Sequence, residues 1–157
     1  MEPITFGTSG GVWKEKDATL ELAQYAERLG FDVLSFGEHV TNWGPDYDPF
    51  IQMAYVAAAT KRIRLATQVT VLPLHHPVRL AHQITTLDSL SDGRVTVGIG
   101  VGGEFPKQYE AFGIPVSERG ERTDEYIEIL RGLWTEASFT YHGNFFHFED
   151  ITMEPKP

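Results

Sequence analysis

The sequence predicts an α/β chain of four strand–helix units whose strands lie parallel in one sheet. Three observations carry that prediction. Candidate strands begin at Ile4 (ITFG), Val33 (VLSF), Arg64 (RLATQVTV) and Val95 (VTVG), at intervals of 29, 31 and 31 residues, each the length of one strand–helix unit. Stretches of helical periodicity fill the gaps. After the fourth strand come Gly98, Gly100, Gly102 and Gly103, at the carboxyl end where parallel α/β proteins place their ligands. Regular alternation of this kind leaves two closures, an open doubly wound sheet or part of a (β/α) barrel. A barrel takes eight units and typically ~250 residues; the 157 residues here supply four. The tail favours the barrel. Phe139-Thr140-Tyr141 and Phe145-Phe146-His147-Phe148, either side of His142-Gly143-Asn144, read as a small surface hairpin. Glu154-Pro155-Lys156-Pro157 then reads as a linker towards a missing fifth strand. The expectation is a single domain over residues 1–157: a half barrel of four parallel βα units, with the hairpin and linker over residues 138–157.

Each element has a local reason. Asp17 is placed to cap a helix to Leu29, with Leu22, Ala26 and Leu29 on one face and Gly30 as a left-handed stop. Pro49 suits the first turn of a small-residue helix through Ala59. Pro77 opens the next, with Leu80, Ile84 and Leu87 at i, i+4, i+7 spacing. Ser91-Asp92-Gly93 makes a tight turn into the fourth strand. Glu104 to Phe112 is a short helix or a loop. Ser117 is placed to cap a long helix that turns Tyr126, Ile129, Leu130, Leu133 and Trp134 inward. On its outer side Arg119, Arg122 and Arg131 interleave with Glu118, Glu121 and Glu128 as surface pairs.

Bulk composition narrows the function classes. The net charge is −9, the pI is about 5.0 and the basic residues are scattered. This argues against nucleic acid and against an anionic membrane surface as partners. Met1-Glu2-Pro3 does not open a signal peptide, and the longest apolar run, Met53 to Ala59, is too short for a bilayer. Zero cysteines exclude disulfides, thiolate metal sites and cysteine nucleophiles. The reading is a soluble cytoplasmic protein.

With parallel strands, the residues that follow each one share a rim. The first strand contributes Gly7 to Gly11, the second Gly37-Glu38-His39 and then Trp43. The third contributes Thr70 to Pro73 with His75 and His76, and the fourth the glycines and Glu104. An imidazole at such a rim can give or take a proton near neutral pH. Glu38 is placed to orient His39 or raise its pKa; otherwise His39 is a surface loop residue. Gly98-x-Gly100-x-x-Gly103 matches the dinucleotide fingerprint in form. It falls in the fourth unit, however, and Pro106 interrupts an immediate helix start. The glycines read better as clearance for a flat ring system, or else as tight helix–strand packing. His75, His76 and His82 do not make a metal set, since adjacent histidines in an extended segment point apart. No metal is expected. Trp43, Tyr47 and Phe50 sit in a long loop and could form a lid over an apolar pocket.

Four stretches carry a family likeness: FDVLSFGEHV; IRLATQVTVLPLHHPVRLAHQITTLDSLSDGRVTVGIGVGG; ERTDEYIEILRGLW; and YHGNFFHFEDITMEPKP. Together they resemble the luciferase-like monooxygenase family, and more narrowly its members that use the deazaflavin coenzyme F420. The resemblance spans the chain and corresponds to the amino-terminal half of that family's TIM barrel. It implies a (β/α)8 barrel with flavin or deazaflavin in the carboxyl-end mouth, F420 as cofactor with FMN as the alternative, and a small organic substrate. It implies His39 as proton donor or acceptor with Glu38, and a pocket wall at Trp43. It also implies a non-proline cis peptide near Gln68-Val69 and cofactor contacts at Gln68, Val69, Val71, Gly100, Val101 and Gly102. Some dehydrogenase relatives carry a catalytic glutamate where this chain has Gly103, with Glu104 one place later; this speaks against sugar-phosphate dehydrogenation. The alternative to an oxidoreductase is a catalytically silent half barrel that self-associates. Two exposed sheet edges and an apolar inner face would drive homo-oligomers, two copies closing one barrel.

Overall fold

The structure, a computed structural model, describes residues 4–10, 16–41 and 46–157. In chain order the elements are β1 (Gly7–Ser9), α1 (Lys16–Leu29), β2 (Val33–Phe36), α2 (Pro49–Ala57), β3 (Arg64–Val71), α3 (Pro77–Leu90), β4 (Val95–Gly100), α4 (Pro106–Ala111), α5 (Arg119–Thr135), β5 (Phe139–His142) and β6 (His147–Ile151). The four-stranded sheet runs β1-β2-β3-β4, and β5 and β6 form a separate antiparallel pair. β1 and β2 pair in parallel from Gly7↔Val33, and β2 and β3 from Val33↔Arg64. The predicted strand–helix alternation is therefore the observed one. By packing, the chain divides into two compact units: Met1–Thr70 with Leu90–Ile99, and Val71–Ser89 with Gly100–Pro157.

In the first unit β2 alternates. Leu34 and Phe36 are fully buried, while Val33 and Ser35 face the open side of the sheet and stay half-exposed. Burying a large apolar side chain is worth about 1.5–3 kcal/mol, so this alternation sets which face of the strand meets the helices. β1 is shorter than the sequence predicts and begins at Gly7, not Ile4. The chain before it is held differently, because the Phe6 N–H donates to Asp32 Oδ2 at 2.9 Å and the Phe6 carbonyl accepts from Asp32 and Val33. α1 ends as expected, with Gly30 at φ 90°. Asp17 lies inside its first turn rather than capping it. Its buried face is Thr19, Ala23 and Ala26; Leu29, rotated away from that line, is 58% exposed. α2 opens at Pro49 with Asp48 as its cap, the carboxylate accepting the Ile51 N–H at 2.9 Å.

Two polar side chains hold the amino ends of the strands. The buried Arg94 guanidinium donates to the carbonyls of Ser91 (2.7 Å), Ile63 (3.1 Å), Ala57 (3.0 Å) and Thr60 (3.3 Å), and to Thr60 Oγ1 (3.0 Å). It joins the end of α2, the turn into β3 and the turn into β4. Glu27, on α1, accepts the successive N–H groups of Lys61 (3.0 Å), Arg62 (2.6 Å) and Ile63 (2.8 Å).

In the second unit α3 buries Leu80, Ile84 and Leu87 at the predicted spacing. α5 buries Tyr126, Ile129, Leu130 and Leu133. Ser117 does not cap α5; it sits within a 3-10 turn, Val116–Glu118, that runs into the helix through helical backbone angles at Glu118, leaving no extended cap position. The expected pairing on the outer side of α5 is seen for Arg122 and Glu118, 2.8 Å apart. Arg119 instead donates to the Val116 carbonyl at 2.9 Å.

Removing the Arg94 fork strands several buried carbonyls at once. Arg94→Ala should therefore lower unfolding free energy by about 3 kcal/mol or more, read from urea denaturation, with Arg94→Lys losing less. Burial works against ionisation of Glu27, but the N–H groups of Ile63, Arg62 and Lys61 and the charge of Arg62 outweigh it. The pKa lies below its ordinary 4.5. The stabilisation is complete above that value and is lost as pH falls through the lower folded-state value. In acid titrations of stability, Glu27→Gln should flatten the decline of the wild-type chain below about pH 4.5.

Candidate active site

β2 ends at Phe36, and the next residues carry the predicted acid–base pair. Glu38 is buried at 5% exposure and His39 is half-buried. Both line a pocket of about 150 Å³ whose other walls include Asp46, Tyr47 and Asp48. Sequence reasoning did not single out the two aspartates, which stand in the pocket wall just before α2, where the Asp48 carboxylate also caps the helix. Of the three expected lid residues, Phe50 is buried in the first turn of α2 and Tyr47 is exposed in the pocket wall. Trp43 lies outside the described residues.

Gln68 stands near the carboxyl end of β3, and the Gln68–Val69 peptide is cis, at the position the family resemblance implies. The strand alternation places Gln68 beside Ser35 on the open face of the sheet. Ser35 Oγ donates to Gln68 Oε1 at 2.7 Å. That contact fixes the carboxamide and leaves Nε2 as a donor. Both side chains line a shallow cleft of about 380 Å³ with Thr8, Ser9, Ala66 and Thr67. Gly37, next to Glu38, approaches the same segment: a Cβ there would stand 3.5 Å from the Gln68 carbonyl oxygen. Val69 (39% exposed) and Ile99 (41% exposed) add apolar surface on the neighbouring strands. The first unit thus holds polar donors, exposed apolar side chains and the imidazole at the carboxyl ends of its strands.

The glycines do less for a ligand than the sequence suggests. A Cβ on Gly98 would collide with the Thr67 carbonyl oxygen, and Thr67 Oγ1 donates to the Gly98 carbonyl at 2.8 Å. Gly98 therefore serves close approach of β4 to β3. No helix begins at Gly103, and α4, starting at Pro106, is only six residues long. The phosphate-binding reading of the glycine pattern finds no helix terminus to support it.

In the second unit Val71, Val101 and Gly102 come together. Val71 is buried in a cluster with Leu74 and Tyr109. The Tyr109 hydroxyl donates to the Val101 carbonyl. Gly102, at φ 58°, leaves room for Val71 Cγ1, which a Cβ would approach to 2.7 Å. Gly100 ends β4 half-exposed, Val101 is exposed and Glu104 is exposed. Burial raises the pKa of Tyr109, with Arg119 opposing and Glu104 adding to the rise. The phenol stays a donor at neutral pH.

Comparison with known proteins supplies the family. The luciferase-like monooxygenase model matches residues 4–157. The chain is 34% identical over 147 residues to the FMNH(2)-dependent dimethylsulfone monooxygenase of Pseudomonas putida, covering 90% of this chain and 40% of that protein. Among solved structures, the monooxygenase RslO1 of Streptomyces bottropensis superposes with a TM-score of 0.88 at 34% identity, over 98% of this chain and 50% of that one. The oxygenating constituent of 3,6-diketocamphane monooxygenase from Pseudomonas putida, a type II Baeyer–Villiger enzyme solved with FMN, shares the fold. Its TM-score is 0.83 at 24% identity, over 94% of this chain and 44% of that one. The chain thus spans two-fifths to one half of the length of these proteins. Among the described residues no helix is long and apolar enough to cross a membrane. With its four parallel βα units matched over essentially its whole length, the chain belongs to the luciferase-like monooxygenase family.

Proposed function

We propose that the chain is the amino-terminal half of a flavin-dependent monooxygenase barrel, with FMN rather than F420 as the cofactor and a small organic molecule as substrate. The observation that carries this reading is the grouping at the carboxyl ends of β2 and β3: a half-buried imidazole with a buried carboxylate in one pocket, and a fixed carboxamide with exposed apolar side chains close by. The cofactor preference rests on the relatives' own names, one FMNH(2)-dependent and one solved with FMN.

These residues suit a flat heteroaromatic ring with a polar edge. Gln68 Nε2 and the hydroxyls of Ser9 and Thr8 line the cleft and can donate to ring carbonyl oxygens or nitrogens. Val69 and Ile99 offer apolar surface to a ring face. On the second unit, the Val71, Gly100, Val101 and Gly102 segment is assigned to the cofactor by family likeness; Glu104, exposed after β4, is assigned to the substrate pocket by its place in the chain alone. When bound, a reduced flavin supplies the electrons and the oxygen chemistry. The chain's part is to position and to move a proton. His39, reachable at its pocket, gives or takes that proton at an imidazole nitrogen, and the buried Glu38 beside it in the chain is assigned to orient the ring.

A second reading is a self-associating half barrel without activity of its own. β1 and β4 end the sheet, and Ile4 and Phe6, just before β1, are strongly exposed. Sedimentation at several concentrations tests it: a dimer supports pairing and a monomer throughout removes it.

Fluorescence titration of the chain with FMN, and separately with F420, tests the cofactor assignment. FMN should bind saturably, and Gln68→Ala should weaken it about tenfold, ~1.4 kcal/mol. F420 binding alone moves the assignment to the deazaflavin, and no binding of either rejects it. His39→Gln should leave FMN affinity within about twofold while lowering turnover of the assembled enzyme roughly 100-fold or more; equal losses in both would make His39 a binding residue.

A further inference from the structure

The β5–β6 hairpin has two unlike faces. Phe139, Tyr141 and Phe148 share one, with ring centroids 5.9–6.2 Å apart. This face packs on α5, where Gly132 leaves room for the Phe139 ring and Tyr141 donates to Glu128 Oε2 at 2.9 Å. The other face carries His142, His147 and Glu149, all exposed. His142 and His147 are directly opposite across the strands, and Glu149 follows His147 by two, so strand alternation puts all three side chains on one side.

We infer that His142, His147 and Glu149 form a surface binding site for a divalent transition-metal ion of the zinc, nickel and copper class. The two Nδ1 atoms are 3.0 Å apart. Nitrogens that ligate one ion at about 2.0–2.1 Å stand roughly 2.9–3.4 Å from each other in square or tetrahedral arrangements, so the pair already has the spacing of a chelate. One nitrogen from each ring and a Glu149 carboxylate oxygen lie within 4.8 Å of one another. The carboxylate also comes 3.8 Å from His142 Nε2. Glu149 can therefore either complete the donor set or orient the His142 ring from its far nitrogen. Two imidazoles and one carboxylate select borderline transition metals over magnesium or calcium, and three protein donors leave positions for water.

The scaffold under these residues is fixed. The buried Glu125 carboxylate accepts the N–H groups of Asn144 (2.6 Å) and Phe145 (3.1 Å), and Gly143 leaves the space it occupies. Arg122 stacks over the Phe145 ring at 4.2 Å, and Phe146 meets the Tyr126 ring edge-on at 5.1 Å. The Tyr126 hydroxyl in turn donates to the His75 carbonyl. An ion at the site would find its two nitrogens held by a rigid rung rather than having to gather them.

Calorimetric titration of the whole metal-free chain with Zn2+, and separately with Mg2+, tests the site. One Zn2+ should bind with micromolar affinity and Mg2+ should not. His142→Ala and His147→Ala should each weaken Zn2+ binding by roughly tenfold or more, while His82→Ala, an exposed histidine on α3, should change nothing. Because the three side chains are exposed, circular dichroism should show all variants folded; His142→Asn and His147→Asn replace any variant that is not. A fall of less than about tenfold in either histidine variant, or no saturation below about 1 mM Zn2+, overturns the site and leaves the ring contact as a plain imidazole–imidazole hydrogen bond.

Discussion

The first unit depends on one buried cation. Arg94 gathers the carbonyls of Ala57, Thr60, Ile63 and Ser91 and the hydroxyl of Thr60 around a single planar fork. Those carbonyls belong to the end of a helix and to turns that lead into strands, where backbone acceptors have no ladder partner. A guanidinium satisfies several at once in fixed directions, which an ammonium does not. The consequence reaches the far ends of the strands. The Leu65 N–H donates to the Arg94 carbonyl at 2.9 Å, so the same residue also sets how β4 lies beside β3. Once the amino ends are fixed, what stands at the carboxyl ends follows from counting residues along rigid strands.

At those carboxyl ends the sheet is more polar than a closed core would be. Ser35 and Gln68 spend one hydrogen bond on each other on the open face, leaving donor capacity in the cleft. The close approach of β4 to β3 at Gly98 and the seating of Val71 against Gly102 are packing devices. They bring backbone into place. Glycine thus has two uses in this chain: it admits neighbouring protein atoms at 98, 102 and 132, and supplies left-handed turns at 30 and 93.

The second unit repeats the logic of the first with opposite charge. Where Arg94 collects carbonyls, Glu125 collects N–H groups, closing the hairpin loop onto α5. Burial pushes the pKa of the nearby Tyr126 up to about 12, Arg122 opposing and Tyr109 adding. The pKa of Tyr141 is likewise raised, by burial and by its hydrogen bond to Glu128. Both phenols therefore stay protonated and donate hydrogen bonds throughout the neutral range. A small hairpin is only marginally stable by itself; here its aromatic side is spent on α5, and its histidine side remains open.

The repeat interval near 31 residues, the proline-opened helices and the Gly30 stop were legible in the sequence because they are local: each rests on the geometry of a few consecutive residues. So was the position of Glu38-His39, which needs only a strand that ends at Phe36. Three things were not legible. Asp17 and Ser117 have the chemistry of caps, but the backbone entered the helices elsewhere. Gly98 has the pattern of room for a ring, but the Thr67 carbonyl of the neighbouring strand takes up that space. Arg94, the Ser35–Gln68 contact and the facing of His142 with His147 join residues that are distant in the chain or paired across a turn. Their meaning lies in which strand neighbours which and in what register, and a one-residue slip would undo each of them. Local periodicity determined the elements; only the three-dimensional packing decided which polar groups would meet.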